Sequence, residues 1–171
     1  LQLIVDTAMP QVGPLVLNTN SDPALFGAYE LPVAPDVIDG FAGPLAGVLT
    51  GLEWAQANAP ECDWVASFAC DAPFAPADLV ARLVAAVMDQ DADMACANSG
   101  GRDHPVFALW PVRLADDLRK AVVNEELRKV DVWTGRYKIA RVEFDAGQGD
   151  PFFNVNRPED LEAAAALLGN A

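Results

Sequence analysis

The sequence predicts an α/β fold in which a mainly parallel sheet carries helices on both faces. Apolar runs of strand length alternate with longer stretches whose apolar residues recur at helical spacing, which is typical of successive β–α units. The clearest apolar run spans residues 64–70 and ends at Asp71, after which Pro73 opposes further strand pairing. Ligands of open α/β sheets bind beyond the carboxyl ends of the strands, so we expect the functional site there.

Four elements are predicted before that strand. The apolar residues before Pro10 lie at helical spacing and indicate a helix. Residues 14–18 form a short strand, and residues 31–36 form a second extended segment whose prolines suit a sheet edge. A helix at 43–58 begins with glycine and proline, residues that are favourable at a helix start.

The second half of the chain continues the alternation of helices and strands. Alternating apolar residues at 138–144 indicate a half-buried strand, and Asn156 begins a closing helix with a capping-box-like pattern. The expected elements are a helix at 77–90, a strand at 93–97, a turn at 102–105, a strand at 106–110, helices at 111–122 and 127–137, a strand at 138–144 and a helix at 156–168.

Composition and charge exclude several classes of protein. The 171 residues include 52% hydrophobic and 21% charged side chains, which is typical of one soluble globular domain. With 25 acidic and 11 basic side chains the net charge is −14, whereas a nucleic-acid-binding protein needs the opposite sign. No apolar run approaches the ~20 residues of a membrane span, so no membrane partner is expected. Three cysteines without paired spacing favour a reducing, cytoplasmic compartment.

Three polar residues follow predicted strands and are candidates for binding a nucleotide. The Asp71 carboxylate can hold a hard cation such as Mg²⁺, which in turn holds phosphates, although an aspartate here also suits a loop or a helix N-cap. Asn18 can recognise a base through its carboxamide, or it can satisfy backbone groups in a turn. Asp36 can accept the two adjacent N–H donors of guanine, or it can form an Asx turn.

The remaining candidates are a glycine loop and several scattered polar residues. Gly43 opens a loop that allows the backbone to approach a ligand at a helix N-terminus. Arg128 and Lys129 are candidate phosphate ligands, although a solvated face is the usual role for such residues. Asn154 lies in an extended segment that can face the site, and Asn156 suits an N-cap without any ligand.

Seven segments together resemble the molybdenum cofactor guanylyltransferase family. The resemblance spans essentially the whole chain, and it implies a Rossmann-like, three-layer nucleotidyltransferase fold. The segments are residues 17–20, Leu-Asn-Thr-Asn; 33–36, Val-Ala-Pro-Asp; 40–47, Gly-Phe-Ala-Gly-Pro-Leu-Ala-Gly; 68–74, Phe-Ala-Cys-Asp-Ala-Pro-Phe; 103–110, Asp-His-Pro-Val-Phe-Ala-Leu-Trp; 128–130, Arg-Lys-Val; and 153–161, Phe-Asn-Val-Asn-Arg-Pro-Glu-Asp-Leu.

The resemblance implies an activity and a role for each candidate residue. The family uses Mg²⁺ to transfer GMP from GTP to molybdopterin and releases pyrophosphate, and enzymes or chaperones that accept the cofactor are further expected partners. By resemblance Asn18 and Asp36 bind the guanine nucleotide, and Asp71 is the catalytic residue that holds Mg²⁺. Gly43 belongs to the nucleotide-binding loop. The residues expected to face the pterin phosphate are Arg128 or Lys129, Asn154 and Asn156.

The chain departs from the family pattern at its start. The family begins with a strand and a glycine-rich loop, roughly Leu-Ala-Gly-Gly followed by an arginine and a lysine, and no such loop occurs in these 171 residues. We therefore expect a single nucleotidyltransferase domain, residues 1–171, that lacks this first strand and loop. A CTP-dependent molybdopterin cytidylyltransferase, another small nucleotidyltransferase and a non-catalytic nucleotide-binding module remain alternatives.

Overall fold

The computed structural model describes residues 1–40, 43–146, 149–155 and 160. Helices and strands are interspersed along this part of the chain, which confirms the predicted α/β class. The helices are α1 (Gln2–Ala8), α2 (Pro44–Asn58), α3 (Leu79–Gln90), α4 (Ala115–Asn124) and α5 (Val130–Thr134). The strands are β1 (Leu17–Asn18), β2 (Val33–Ala34), β3 (Trp64–Ser67), β4 (Met94–Ser99), β5 (Arg102–Pro111) and β6 (Ile139–Phe144).

The described strands form two sheets of unequal size. Strands β1 and β2 pair in parallel as a two-stranded sheet, and the larger sheet has the order β3-β5-β4-β6. Strand β6 is parallel to β4, whereas β5 is antiparallel to both β3 and β4. The central position of β4 is reflected in the burial of all six of its residues.

Alternate residues of β4 pack into two cores on opposite faces of the larger sheet. Met94 and Cys96 belong to a core with α2 and α4, whereas Ala95 and Ala97 belong to a core with α3. This alternation is the two-residue period of a strand. Helices therefore cover both faces, as the sequence predicted. Among the described residues no helix is both long and apolar enough to cross a membrane.

Three predicted elements differ most from the structure. Residues 102–105 were predicted as a turn but belong to β5, because Gly100 and Gly101, at φ 55° and 77°, make the tight turn that precedes it. The helix predicted at 111 starts at Ala115, because Pro111 still pairs with Trp64. The helix predicted at 127–137 is shorter, at Val130–Thr134. The predicted helix at 156–168 lies outside the described residues apart from residue 160.

Candidate functional site

A cluster of three polar side chains follows the carboxyl ends of β1 and β2. Asn18 Nδ2 donates to Asp36 Oδ1 at 3.0 Å, and Asn20 Nδ2 donates to Asp36 Oδ2 at 2.9 Å. The Asp36 backbone N–H returns a bond to Asn20 Oδ1 at 2.8 Å. The structure therefore brings together Asn18 and Asp36, which were predicted separately. Because each carboxylate oxygen has a second lone pair, Asp36 retains acceptor capacity for a ligand.

Parallel pairing of two very short strands creates this polar cluster. Asn18 lies opposite Ala34 in the register, so the residues that follow β1 and β2 meet at the same edge. Asn18 Nδ2 also donates to the Ala34 carbonyl at 3.1 Å, which leaves Asn18 Oδ1 directed at α2. A Cβ atom on Gly47 would lie 2.7 Å from that oxygen, so the close approach of Asn18 to the helix requires glycine.

The start of α2 lies beside the two candidate cations. Gly43 precedes the helix at φ 154° and ψ 161°, a conformation that side chains rarely adopt, and Pro44 occupies the first turn. A Cβ atom on Gly43 would lie 3.8 Å from the carbonyl oxygen of Arg128. Arg128 and Lys129 are both exposed, and Lys129 is the N-cap residue of α5. The Arg128 backbone thus lies beside the start of α2, where the N-terminus of the helix favours an anion.

Asp71 lies four residues beyond the last residue of β3 and is half-buried. No hydrogen bond to its carboxylate is found among the described residues, while its backbone carbonyl accepts one from Val155 N–H at 2.7 Å. This backbone bond places Asn154, which is exposed, one residue from the contact with Asp71. Asn156 lies outside the described residues.

The residues around Asp71 fit one type of magnesium site. No group of three or more His, Cys, Asp or Glu side chains that could hold a metal was found in the described part of the chain. Mg²⁺ is usually bound by one or two carboxylates together with waters and substrate phosphates. A single carboxylate that accepts no hydrogen bond from the described residues suits such a site, in which the ligand supplies most of the oxygens.

Ser99, His104 and Asp150 form a second polar cluster, and Asp150 belongs to the same described segment, residues 149–155, as Asn154. The sequence did not predict this cluster. Ser99 Oγ lies 2.7 Å from His104 Nε2 and donates to Asp150 Oδ1 at 2.7 Å. Burial lowers the pKa of His104, and the nearby Asp150 carboxylate partly opposes this effect. The sequence carries no local signal for this cluster, because Ser99 and Asp150 are 51 residues apart along the chain.

A groove of about 310 Å³ separates the polar cluster of Asn18, Asn20 and Asp36 from the Asp71 side of the molecule. Its lining is mainly apolar and includes Val5 and Val48, with residues 15–18 of the β1 region on one wall and residues 65–70 on the other. In the part of the chain that the structure describes, β1 pairs only with β2 and β3 only with β5. Each wall of the groove is therefore a strand with an unpaired edge.

Comparison with known proteins decides the family. Residues 1–139 match the family described as "MobA-like NTP transferase domain". A protein of Bradyrhizobium sp. (strain ORS 278), named "Molybdenum cofactor guanylyltransferase", is 54% identical over 164 residues, covering 96% of this chain and 77% of that protein. The chain belongs to the molybdenum cofactor guanylyltransferase family. A relative of the same name from Rhodopseudomonas palustris (strain BisB5) is 52% identical over 98% of this chain and 80% of its own length.

Solved structures show the same nucleotidyltransferase fold at low sequence identity. Molybdopterin-guanine dinucleotide biosynthesis protein A from Archaeoglobus fulgidus superposes with a TM-score of 0.71 at 21% identity, over 99% of this chain and 86% of that one. The 2-C-methyl-D-erythritol 4-phosphate cytidylyltransferase from Thermus thermophilus has a TM-score of 0.67 at 20% identity, over 98% and 88%. These likenesses confirm the predicted fold.

Membership of the guanylyltransferase family confirms the resemblance drawn from the seven segments. The protein is a nucleotidyltransferase of molybdenum cofactor biosynthesis. The roles of Asn18, Asp36, Asp71 and the other site residues stay predictions, and the geometry above supports them to different degrees.

Proposed function

We propose that this guanylyltransferase family member transfers GMP from GTP to molybdopterin with the help of Mg²⁺. In this reaction an oxygen of the molybdopterin phosphate attacks the α-phosphorus of GTP. The bond between that phosphorus and the bridging oxygen breaks, and pyrophosphate leaves. The observation that carries the proposal is the Asp36 carboxylate, which two asparagine side chains hold in place at the edge of the groove.

The Asp36 cluster supports guanine as the base. Guanine presents a ring N–H beside an exocyclic amine, and both are donors that a carboxylate accepts. Cytosine presents an acceptor beside its amine, and that acceptor would face the carboxylate unfavourably. Because Asn18 and Asn20 donate to different oxygens of Asp36, the carboxylate is oriented before the base binds.

Asp71 is the proposed ligand of Mg²⁺, and the nucleotide phosphates supply further ligands. The cation would contribute neutralisation of charge on the triphosphate when it is bound. The α2 N-terminus at Gly43 and the side chains of Arg128 and Lys129 would add positive potential for a phosphate group. Catalysis then depends on holding the attacking oxygen in line with the leaving group, and no covalent enzyme intermediate is needed.

Asn154 is the described residue best placed to contact the molybdopterin acceptor. It is exposed, and the residue that follows it is bonded to the Asp71 backbone. An acceptor that contacts Asn154 would thus lie beside the proposed metal ligand, as transfer to the α-phosphorus requires. Asn156 is proposed for the same substrate by resemblance alone.

The groove is proposed to receive a β-strand that precedes Leu1, followed by a glycine-rich loop that holds the triphosphate. Its two long walls have unpaired strand edges and its lining is mainly apolar, which suits a strand better than a nucleotide. The two relatives described above are also longer than their matched regions, which cover 77% and 80% of their lengths. Hydrogen exchange at the β1 and β3 amides would slow when this strand is present.

Thermal shift with GTP, CTP and ATP, each with and without Mg²⁺, tests the proposed nucleotide. A ligand that binds only the folded state contributes about 2.7 kcal/mol at ~100 times its Kd. For the full-length protein we expect a Mg²⁺-dependent rise in Tm with GTP alone. A rise with CTP instead would assign the protein to cytidylyl transfer, and no rise with any nucleotide would favour a non-catalytic module.

The variant Asp36→Asn tests the proposed role of the carboxylate in base choice. An asparagine at this position keeps one acceptor and turns a donor towards the base, so the affinity for GTP should fall at least about tenfold while the affinity for CTP does not fall. Asp39→Asn is the matched control, because it removes the same charge from an exposed residue nearby. Equal losses for GTP and CTP would contradict the guanine assignment.

A further inference from the structure

We propose that Ser99, His104 and Asp150 are positioning residues that hold the 149–155 segment, and with it Asn154, beside Asp71. This inference rests on the proposed function, because it concerns how the acceptor-binding asparagine is placed. None of the three side chains needs to touch substrate. Their role is to fix one end of a short segment whose other end meets the catalytic aspartate.

The first attachment of the segment is a chain of hydrogen bonds to Asp150. Its Oδ1 atom accepts from Ser99 Oγ at 2.7 Å and from the Phe152 backbone N–H at 2.9 Å. Ser99 has one hydroxyl proton and donates it to Asp150. His104 Nε2, at 2.7 Å from Ser99 Oγ, must therefore carry a proton and donate to that oxygen. The order of donation runs from His104 through Ser99 to Asp150.

Burial makes this hydrogen-bond chain a fixed part of the fold. Ser99 is 3% exposed and His104 is 7% exposed, whereas the Asp150 side chain is 35% exposed. A buried donor or acceptor that is left without its partner costs the full desolvation penalty of that group. Ser99 and His104 lie on adjacent strands β4 and β5, so the sheet holds both donors in place and the segment is attached to them through Asp150.

The second attachment is the ring of Phe152, which is 2% exposed. Its centroid lies 4.7 Å from His104, 4.7 Å from Phe107 and 5.4 Å from Phe144. These three rings belong to β5 and β6. The segment is thus packed against the same part of the sheet to which Asp150 is hydrogen-bonded.

The third attachment joins the far end of the segment to the proposed catalytic site. Val155 N–H donates to the Asp71 carbonyl at 2.7 Å. Asn154 lies between this bond and buried Phe152, and it is exposed. If Asp150 is released, the segment keeps only its ring contacts and the Val155 bond, so the position of Asn154 relative to Asp71 becomes less defined. Ser99, His104 and Asp150 are together called the clamp. The clamp therefore acts on acceptor binding, whereas the Asp36 cluster proposed to bind guanine lies across the groove.

Kinetics of Ser99→Ala and Asp150→Ala in the full-length protein test the clamp. We expect KM for molybdopterin to rise about tenfold, while KM for GTP and kcat stay at wild-type values. Asp150→Asn retains an oxygen at the acceptor position and should largely restore KM. Ser67→Ala is the matched control, because it also removes a hydroxyl with two hydrogen bonds, to Val106 and Trp110, but does not contact the segment.

Hydrogen exchange of the Val155 amide, measured by NMR without substrate, provides a second readout. We expect faster exchange in Asp150→Ala and Ser99→Ala and unchanged exchange in Ser67→Ala. Unchanged Val155 exchange in the clamp variants, or an equal rise of KM in Ser67→Ala, would overturn the proposal. If the wild-type protein does not bind GTP, the proposed function fails, and the Val155 exchange rate still decides whether the clamp exists.

Discussion

The two walls of the groove hold their candidate functional side chains by different means. On the β1–β2 wall, strands of two residues each are joined by side-chain hydrogen bonds among Asn18, Asn20 and Asp36. On the opposite wall, Asp71 follows β3 at the margin of a four-stranded sheet with a core on each face. Its carboxylate accepts no hydrogen bond from the described residues.

This difference predicts where ligand binding and folding depend on the same residues. Where strands are too short to bury two faces, polar side chains must set the geometry themselves, so the residues proposed to recognise the base also stabilise the backbone. Where the sheet has a packed core on both faces, a carboxylate at its margin is placed by the scaffold alone. We therefore expect substitutions to affect stability and function together on the β1–β2 wall and separately on the Asp71 wall.

The largest expected effect is on the scaffold of the Asp71 wall. Phe107 is fully buried and packs against Phe152, so Phe107→Ala should lower the free energy of unfolding by about 3–5 kcal/mol. Leu17→Ala on the other wall should cost about 2 kcal/mol, because β1 packs against fewer elements and can relax. Urea unfolding measures both values. Equal losses would mean that the two walls are equally packed.

The next effect is a loss of activity at Asp71 that leaves the free energy of unfolding almost unchanged. Asp71→Asn should lower kcat/KM at least about a hundredfold, which is about 2.7 kcal/mol of transition-state stabilisation, because the proposed Mg²⁺ ligand loses its charge. The free energy of unfolding should change by less than about 0.5 kcal/mol. Asp89→Asn, on the exposed side of α3, removes the same charge and should alter neither quantity. Normal turnover in Asp71→Asn would remove the aspartate from the site.

A smaller effect tests the coupling of folding and binding on the β1–β2 wall. In Gly47→Ala the new methyl would lie 2.7 Å from Asn18 Oδ1, so the carboxamide must move and GTP affinity should fall about fivefold, or ~1 kcal/mol. In Gly51→Ala, on the same helix, the methyl meets Val65 at an ordinary 3.5 Å. That control should gain up to about 1 kcal/mol of stability from helix propensity without weakening GTP binding. Titration of both variants with GTP makes the comparison.

The remaining effect is the pH dependence of stability contributed by His104. Burial lowers its pKa from 6.5, so below that pH the unfolded chain takes up the proton first and the folded state loses stability. The loss should be at most about 1.4 kcal/mol per pH unit, and His104→Gln should abolish it. Unfolding in urea at pH 5, 6 and 7 measures this slope. An unchanged slope in the variant would show that another group is responsible.

Two aspartates with lowered pKa values do not contribute to the change in stability between pH 5 and 7. The Lys138 backbone N–H lowers the pKa of Asp93, and the Tyr137 hydroxyl lowers the pKa of Asp117. The stability that these carboxylates contribute is present above the ordinary value of 3.8 and is lost as pH falls further. Any loss between pH 5 and 7 is therefore separate from them.

Much of the fold was predictable because its signals are local. Gly43 and Pro44 mark the start of α2, and the apolar run before Asp71 marks β3 within a few residues. The antiparallel direction of β5 was not predictable, because hydrophobic periodicity carries no information about strand direction. The predicted turn at 102–105 was wrong for a related reason, since Gly100 and Gly101 already complete the turn and the chain returns at once beside β4.

The sequence by itself determined the α/β class, most element positions and the family, and it named Asn18, Asp36 and Asp71 as candidates. Only the tertiary structure decided that Asn18 and Asn20 hold Asp36, and that Ser99 meets Asp150 across 51 residues of chain. The physical reason is the distance along the chain over which each effect acts. Propensity and periodicity act over one or two turns, whereas these contacts depend on strand pairing and on the packing of Phe152, which bring distant segments together.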